Sequence, residues 1–472
     1  MYIILLRHGD AEPGKADVPD ENRRITPLGE RALRAALPRT LELIPPDGAV
    51  EIWSSPMVRA QQTAGFVTDC LSRTPAAKRL AGNEPVICEE LADSGTEALS
   101  AKVAEIMRET ACGENGKDGD RTVILVGHVP QLERFASYLT GLNIKFKKGA
   151  AMCLQLDEKA LPEGDSPEED AKALSGCGSL RWFVQGAPLD RWKAILDLEE
   201  ILSDGYRRVA GNMERFRGNP DDVEAVHDLR VSIRTLRSFV SYIGPFQRER
   251  QNRRMQHCLR EIVAQLSLLR EYDVLIEEVR KMTAEEEKGT DKPVSASKLE
   301  KALNKRRRRE CRRVRNTFSS RRYLNYLSTA KKDFSNIRWR AGVEREGIGR
   351  KTLEARFDEI AAEFSGAYQN LDFSDVRMSH KVRKLAKKVR YVAIGMKDLA
   401  GEHREILTEM KKMQDVLGRL CDVRVNIRLL KDLCRKRGFS GTACRQAEEM
   451  IRMEHKEEGM MEEQMEKARE AE

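Results

Sequence analysis

Aromatic side chains make up only 6% of this 472-residue chain. None of them interleaves with its densest basic run, Lys305-Arg306-Arg307-Arg308-Arg309 to Arg312-Arg313, so the base-stacking platforms of single-strand nucleic-acid binders are missing. Long apolar runs are missing as well. Every one falls far short of the ~20 residues a membrane span needs, so no membrane partner is expected. The N-terminal apolar run follows Met1 with no basic stretch and no cleavage site, so no secretory leader is expected. Ten cysteines scatter from Cys70 to Cys444 without a C-x-x-C pair or a His/Cys cluster at zinc spacing. That excludes a disulfide framework and a structural zinc from the expectation, and makes a reduced cytoplasm the expected location.

What the chain does have is charge, at 34% of residues. Such a content invites a reading as disorder, but the apolar residues recur periodically almost throughout, which predicts folded helices. The overall excess is +8, unevenly spread. Residues 1–190 hold 22 basic and 29 acidic side chains, a net −7, which leaves +15 for residues 191–472. A basic second half predicts a polyanionic partner, whether nucleic acid, an anionic lipid surface or polyphosphate.

The first 190 residues alternate strand and helix. Tyr2-Ile3-Ile4-Leu5-Leu6 reads as a buried strand that delivers Arg7-His8-Gly9 at its end. Thr26-Pro27 opens a capped helix, Ala49–Trp53 is a second strand, and Val58–Leu71 is a helix with Arg59 in its first turn. Glu84–Cys88 reads as a third strand, Ala98–Thr110 as a helix, and Arg121–Val126 as a fully buried strand ending in Gly127-His128. Pro130–Thr140 is a further helix, and Ala150–Leu156 and Ser179–Val184 are the last strands, with Asp157–Gly178 between them as an exposed loop. This order predicts an α/β sheet with flanking helices. Beyond a boundary near Pro188–Leu196, long amphipathic helices take over. Glu285–Pro293 reads as a flexible break, Asp372–Asp375 as a turn, and Arg445–Glu472 as a frayed polar helix.

Ligands of open parallel sheets sit beyond the carboxyl ends of the strands. Arg7 and His8 follow the first strand, Arg59 the second and His128 the late buried one. An imidazole can attack phosphorus and carry it, flanking arginines can hold phosphoryl oxygens in charge-assisted forks, and a second histidine can stabilise developing charge. Singly, each of these is as readily a capping or solvated residue. Together, Leu6-Arg7-His8-Gly9-Asp10-Ala11-Glu12-Pro13, Asp20 and Arg23 before Thr26-Pro27-Leu28-Gly29, Ser54-Ser55-Pro56 to Arg59-Ala60-Gln61-Gln62-Thr63-Ala64, and Val126-Gly127-His128-Val129-Pro130 resemble the histidine phosphatase superfamily. Within it they resemble the short SixA-type phosphohistidine phosphatases. The resemblance implies a phosphoglycerate-mutase-like sheet, His8 as the phosphorylated nucleophile, Arg7, Arg59 and His128 around the phosphate, and no metal or cofactor. Larger members carry a general acid after the third strand. Glu89-Glu90-Leu91-Ala92-Asp93 lacks that pattern, with Glu90 and Asp93 as weak candidates. An imidazole leaving group needs less help from an acid than an alkoxide, which favours N–P bonds or anhydrides as substrate.

In the second half, His227, Arg230, Arg234 and Arg237 share one helical face, with Leu229, Ile233 and Leu236 opposite. His380, Arg383, Lys384, Lys387, Lys388 and Arg390 repeat the plan, with His380, Arg383 and Lys387 where His227, Arg230 and Arg234 stood. Each block is followed by a second signature, Arg270-Glu271-Tyr272-Asp273-Val274 and Arg419-Leu420-Cys421-Asp422-Val423. Two matches in one order predict an internal duplication and two similar helical bundle units, their basic stripes lining a shared groove. This half resembles the CHAD domain, a helical domain named for its histidines. The resemblance implies binding of inorganic polyphosphate, with His227, Arg230, Arg234, Arg237, Arg270, His380, Arg383, Lys384, Lys387, Lys388, Arg390 and Arg419 as candidate contacts and Asp273 and Asp422 orienting arginines.

The expected organisation is thus residues 1–190 as a phosphatase domain, 195–450 as an all-α CHAD domain with halves at 195–285 and 294–450, and 451–472 as a polar tail. The expected function is hydrolysis of a phosphorylated substrate, such as a phosphohistidine protein, through phospho-His8, coupled to polyphosphate binding. Hydrolysis of polyphosphate itself and a phosphatase addressed to polyphosphate granules are the alternatives, with nucleic-acid binding the weakest.

Overall fold

The computed structural model describes residues 1–14, 16–92, 95–111, 121–157, 161, 166–286, 297–396, 404–435 and 441–470. In chain order the first part forms β1 (Tyr2–Arg7), α1 (Pro27–Leu41), β2 (Val50–Ser54), α2 (Val58–Leu71), β3 (Val86–Ile87), α3 (Gly95–Ala111), β4 (Thr122–Gly127), α4 (Gln131–Thr140), β5 (Ala151–Leu156), α5 (Pro167–Ala173) and β6 (Gly178–Val184). The strands make one six-stranded sheet in the order β3-β2-β4-β1-β5-β6. β1, β2 and β4 run parallel, while β5 pairs antiparallel with β1 and β6 with β5. The unbroken apolar runs of β1 and β4 are buried on both faces, as a central strand between two helical layers must be.

Register places the chemistry. Arg7 of β1 is level with Gly127 of β4, and Ser54 of β2 with Val126. Three strands therefore end at one edge, and the residues that follow them, His8, Ser55 and His128, emerge side by side. The start of α1 closes this edge from above. Thr26 caps the helix by accepting from the Gly29 amide at 3.0 Å, and a β-carbon at Gly29 would stand 2.2 Å from the Asp10 carbonyl oxygen. Only glycine lets the helix approach the loop after His8 so closely.

The second part is helical: α6 (Leu189–Gly218), α7 (Val223–Tyr242), α8 (Glu249–Gln265), α9 (Ser267–Glu286), α10 (Lys298–Ser319), α11 (Arg321–Ser335), α12 (Ala341–Glu346), α13 (Arg350–Gln369), α14 (Val376–Gly395), α15 (Arg404–Arg435) and α16 (Gly441–Glu470). Two units separate, Met1–Leu196 with Ala341–Gly349, and Asp197–Arg340 with Arg350–Glu472. The nine residues around α12 thus group with the sheet unit although they lie inside the helical half of the sequence. The duplication extends to the caps. Asp222 accepts from the amides of Glu224 and Ala225 and Asp375 from those of Arg377 and Met378, each aspartate standing five residues ahead of its stripe's histidine. Leu229, Ile233 and Leu236 are buried, as the face assignment requires.

Three expectations are corrected, and a fourth falls largely outside the described residues. The third strand is two residues long and exposed, because an edge strand has one neighbour and little to bury. The loop 157–178 contains α5, anchored by buried Ala171 and Leu174. The C-terminal segment is a packed helix, with Ala447 and Met450 in a core cluster with Tyr272, Leu275, Leu299 and Leu430. The break at 285–293 lies largely outside the described residues. Among the described residues no helix is long and apolar enough to cross a membrane.

Candidate active site and basic cluster

His8 is 6% exposed. Its amide donates to the Gly127 carbonyl at 2.9 Å, binding the loop after β1 to the end of β4. Its Nδ1 lies 2.7 Å from the Gly9 carbonyl oxygen, which can only accept, so Nδ1 carries the proton and the neutral ring presents the lone pair of Nε2. Burial drives the imidazole down to about 4, with further lowering from the charges of Arg59, Arg7 and His128. All three thus lie near enough to act on the ring electrostatically.

Each neighbour is held from outside. Arg7 Nη1 donates to the Phe146 carbonyl at 2.6 Å, while its buried Nε has no hydrogen-bond partner. Glu133 of α4, which also takes the Phe146 amide and Lys145, adds a compensating negative charge beside Arg7. His128 is half-buried, and its carbonyl accepts from Leu132 to start α4. Arg59 is 5% exposed and forks onto Asp20, Nη1 to the backbone oxygen at 2.5 Å and Nη2 to Oδ2 at 2.7 Å. Asp20 Oδ1 takes Arg23 at 2.6 Å. One turn further along α2, Gln62 accepts from the Ile25 amide and Thr63 from the Gly9 amide, so Arg59, Gln62 and Thr63 grip three segments of the site from one helical face.

Sequence reasoning missed two partners. Asp10 binds Lys148 Nζ at 2.5 Å and Thr26 Oγ1 at 2.7 Å, and these bonds hold its carboxylate below the usual range against the opposing effect of burial. The Asp10–Lys148 ion pair lies close enough to His8 to act on the ring when it is protonated. Asp20 is the second, bound to an arginine 39 positions away. The only hint was its place in the motif. Of the acid candidates, Glu90 accepts from the Cys88 thiol at 3.2 Å, and Asp93 lies outside the described residues.

In the helical unit, Arg230 and Arg234 of α7, Arg270 of α9, and Arg383 and Lys387 of α14 come within electrostatic reach of one another. Buried nitrogens of Arg230 (Nη1), Arg234 (Nε) and Arg383 (Nε) make no hydrogen bond among the described residues. Asp422 of α15 stands 3.5 Å from Arg383. Burial, then neighbouring cations, lower Arg230 to about 10 and Lys387 to about 7. His227 and His380 are lowered in the same way, the first by Arg270 and Arg234, the second by Lys384, Arg383 and Lys387. A set of clustered cations with unused donors has the charge and the hydrogen-bond donors that an anion would need.

The remaining candidates separate from this set. Arg237 faces Arg260, Lys388 faces Glu363 and Arg356, and Arg390 is half-buried on α14. Arg419 is engaged within the fold. It pairs with Glu457 at 2.6 and 2.7 Å and with Glu278 at 2.9 Å, so its charge is spent on holding α15 to α9 and α16. Arg424 does the same with Glu458 and Glu462. Asp273 orients an arginine as expected, but it is Arg307, at 2.5 Å.

Residues 3–81 match the family model of the histidine phosphatase superfamily (branch 1), and residues 200–431 match that of the CHAD domain. The chain joins a histidine phosphatase domain to a CHAD domain. No curated relative matches it. Among solved structures it is similar to the protein histidine phosphatase SixA complexed with tungstate, at 22% identity over 39% of this chain and 97% of that one, with a TM-score of 0.28. It is similar also to the CHAD domain from the plant Ricinus communis, at 17% identity over 56% and 86%, TM-score 0.45. A third is PptA from Streptomyces chartreusis, at 14% identity over 58% and 97%, TM-score 0.44. The candidate nucleophile, Arg7 and Arg59 fall inside the phosphatase match, His128 beyond it, and the whole basic cluster inside the CHAD match.

Proposed function

We propose that this chain is a phosphatase that works through phospho-His8 and binds inorganic polyphosphate through its CHAD domain. The observation that carries the first half is the buried, neutral His8 with its Nε2 lone pair free to attack beside Arg7, Arg59 and His128. Nε2 attacks phosphorus, and the bond to the leaving group breaks with its electron pair. Arg7 and Arg59 stabilise the charge on the phosphoryl oxygens, and His128 that at the reacting centre. Water then attacks phospho-His8, releasing orthophosphate and restoring the neutral ring. With Glu90 engaged by Cys88, a substrate whose leaving group departs readily is favoured, as from a phosphohistidine protein. The test is hydrolysis of a phosphohistidine peptide by the full chain and by His8→Ala. An alkali-stable, acid-labile phosphoenzyme in wild type and loss of turnover in the variant are expected; full activity of His8→Ala overturns the reading.

The unused donors of Arg230, Arg234 and Arg383 support polyphosphate as the partner of the CHAD domain. They also favour a second reading, in which polyphosphate is the substrate. Release of orthophosphate from polyphosphate that disappears in His8→Ala supports this version, and no release removes it. If the domain serves as an address, Arg230→Glu with Arg383→Glu abolishes association with polyphosphate granules and leaves soluble turnover unchanged.

A further inference from the structure

The two walls of the basic cluster are built from different chemistry. α7 and α9 contribute Arg230, Arg234 and Arg270, whose guanidinium groups stay charged throughout the working pH range. α14 contributes Arg383 and Lys387, and Lys387 stands where the duplication places Arg234 in the first repeat. Lys387 faces Arg234 from α7, Arg383 from its own helix, and Asp422 and Cys421 from α15. The charged groups of α13 that approach α14, Glu363 and Arg356, face Lys388 instead. His380 and Lys384 continue the same helix toward solvent. Five cations have one carboxylate at ion-pair distance, Asp422, with Glu271 and Asp273 of α9 further off beside Arg230 and Arg270, and with three buried guanidinium nitrogens unbonded among the described residues they cannot all hold charge without cost. The arginines hold their protons far more tightly than a lysine does, so the cost is relieved at Lys387, half-buried on the inner face of α14.

We infer that the CHAD cluster takes up a proton on Lys387 as the phosphate chain enters, so that polyanion binding and protonation of this wall are one event. The inference rests on the polyphosphate reading above. A chain of phosphates brings the counter-charge that the empty cluster lacks, and a nearby opposite charge favours the protonated amine. With the empty-site lysine near 7, about half of the molecules carry a neutral Lys387 at pH 7 and about nine-tenths at pH 8. Uptake from this residue therefore rises from about half a proton to nearly one across that interval, and affinity falls about five-fold over the same interval by linkage.

The test is calorimetric titration of the full chain with inorganic polyphosphate of defined length at pH 7 and pH 8, in buffers that differ in ionisation enthalpy. Wild type is expected to show the rising uptake. Lys387→Arg keeps the charge and is expected to bind with the uptake at pH 8 cut by most of a proton and the affinity nearly flat in pH. Arg234→Lys, which makes the opposite wall titratable at the equivalent position, is expected to add uptake. Binding by wild type with no difference between buffers at pH 8 overturns the inference, as does uptake unchanged in Lys387→Arg. Absence of binding at both pH values overturns the polyphosphate reading itself, and this inference with it.

Discussion

Lowering the pH separates His8 from every ordinary histidine in the chain. An imidazole at its usual 6.5 is about one-tenth neutral at pH 5.5, whereas one held at about 4 is about 97% neutral, so His8 keeps a roughly ten-fold advantage as a nucleophile. Burial is the principal cause, so Arg59→Gln, which removes one of the lesser contributions, moves the midpoint only slightly. The same depression has a sign for stability. Between pH 6.5 and 4 the unfolded chain protonates this ring and the folded chain does not, so folding loses free energy as pH falls through that window, by about 3 kcal/mol when complete. The assay is an NMR titration of ring-labelled histidine, with His8 assigned by its disappearance in His8→Asn, alongside urea denaturation of both proteins at pH 7 and 4.5. A His8 midpoint near 4, and a smaller acid-induced loss of stability in His8→Asn, are expected. A midpoint at 6 or above refutes the argument, because it would mean that the ring is solvated and the strand ends do not bury it.

Gly29→Ala places a methyl group 2.2 Å from the Asp10 oxygen and must displace the loop after His8; steady-state kinetics should show kcat/KM reduced about a hundred-fold, and unchanged kinetics would show that the contact is soft. Asp273→Asn leaves the buried Arg307 with only Asp221, at 3.5 Å, and should cost about 3 kcal/mol in urea denaturation of the full chain. Glu454 is buried with Asn426 as its hydrogen-bond partner, and burial raises its carboxyl to about 7. The folded state therefore holds a proton that the unfolded state releases above 4.5, and the contribution of Glu454 to stability falls as pH rises from 4.5 to 7. Glu454→Gln should be more stable than wild type at pH 8, by up to about 3 kcal/mol, with no gain at pH 4, as read from thermal denaturation.

The strand-end residues were legible because β1 and β4 announce themselves as unbroken apolar runs, and a parallel sheet puts its reactive groups beyond such runs. The stripe on α7 was legible for a similar reason, since its apolar residues fix which face the cations must take. What the sequence hid is what depends on pairing at a distance. Asp20 and Arg59 are 39 positions apart, and no local pattern joins them. Arg419 looked like a groove residue because it opens the second copy of a motif, yet Glu278 and Glu457 decide its fate. A signal did exist: Glu454, Glu458 and Glu462 recur every four residues on α16, a face that reads as solvated until Arg424 is found opposite two of them. Arg270, which opens the first copy, stays with the cluster. Similarity of motif thus located the duplication but not the division of labour between its copies.

β1 lies between β4 and β5, strands that the ribosome makes more than a hundred residues later. The candidate nucleophile therefore emerges before either strand that flanks its own and is assembled only after them. Until β4 has been synthesised, His8 lacks the Gly127 carbonyl, and until the segment ahead of β5 has followed, Arg7 lacks the Phe146 carbonyl. Long-range pairing of this kind is slow to form and unrewarded until it closes. The register that places the site thereby also sets its timing: chains stalled before residue 122 carry His8 and Arg59 without the β4 strand that His8 is bonded to, and the candidate site is complete only after the sheet has closed around β1.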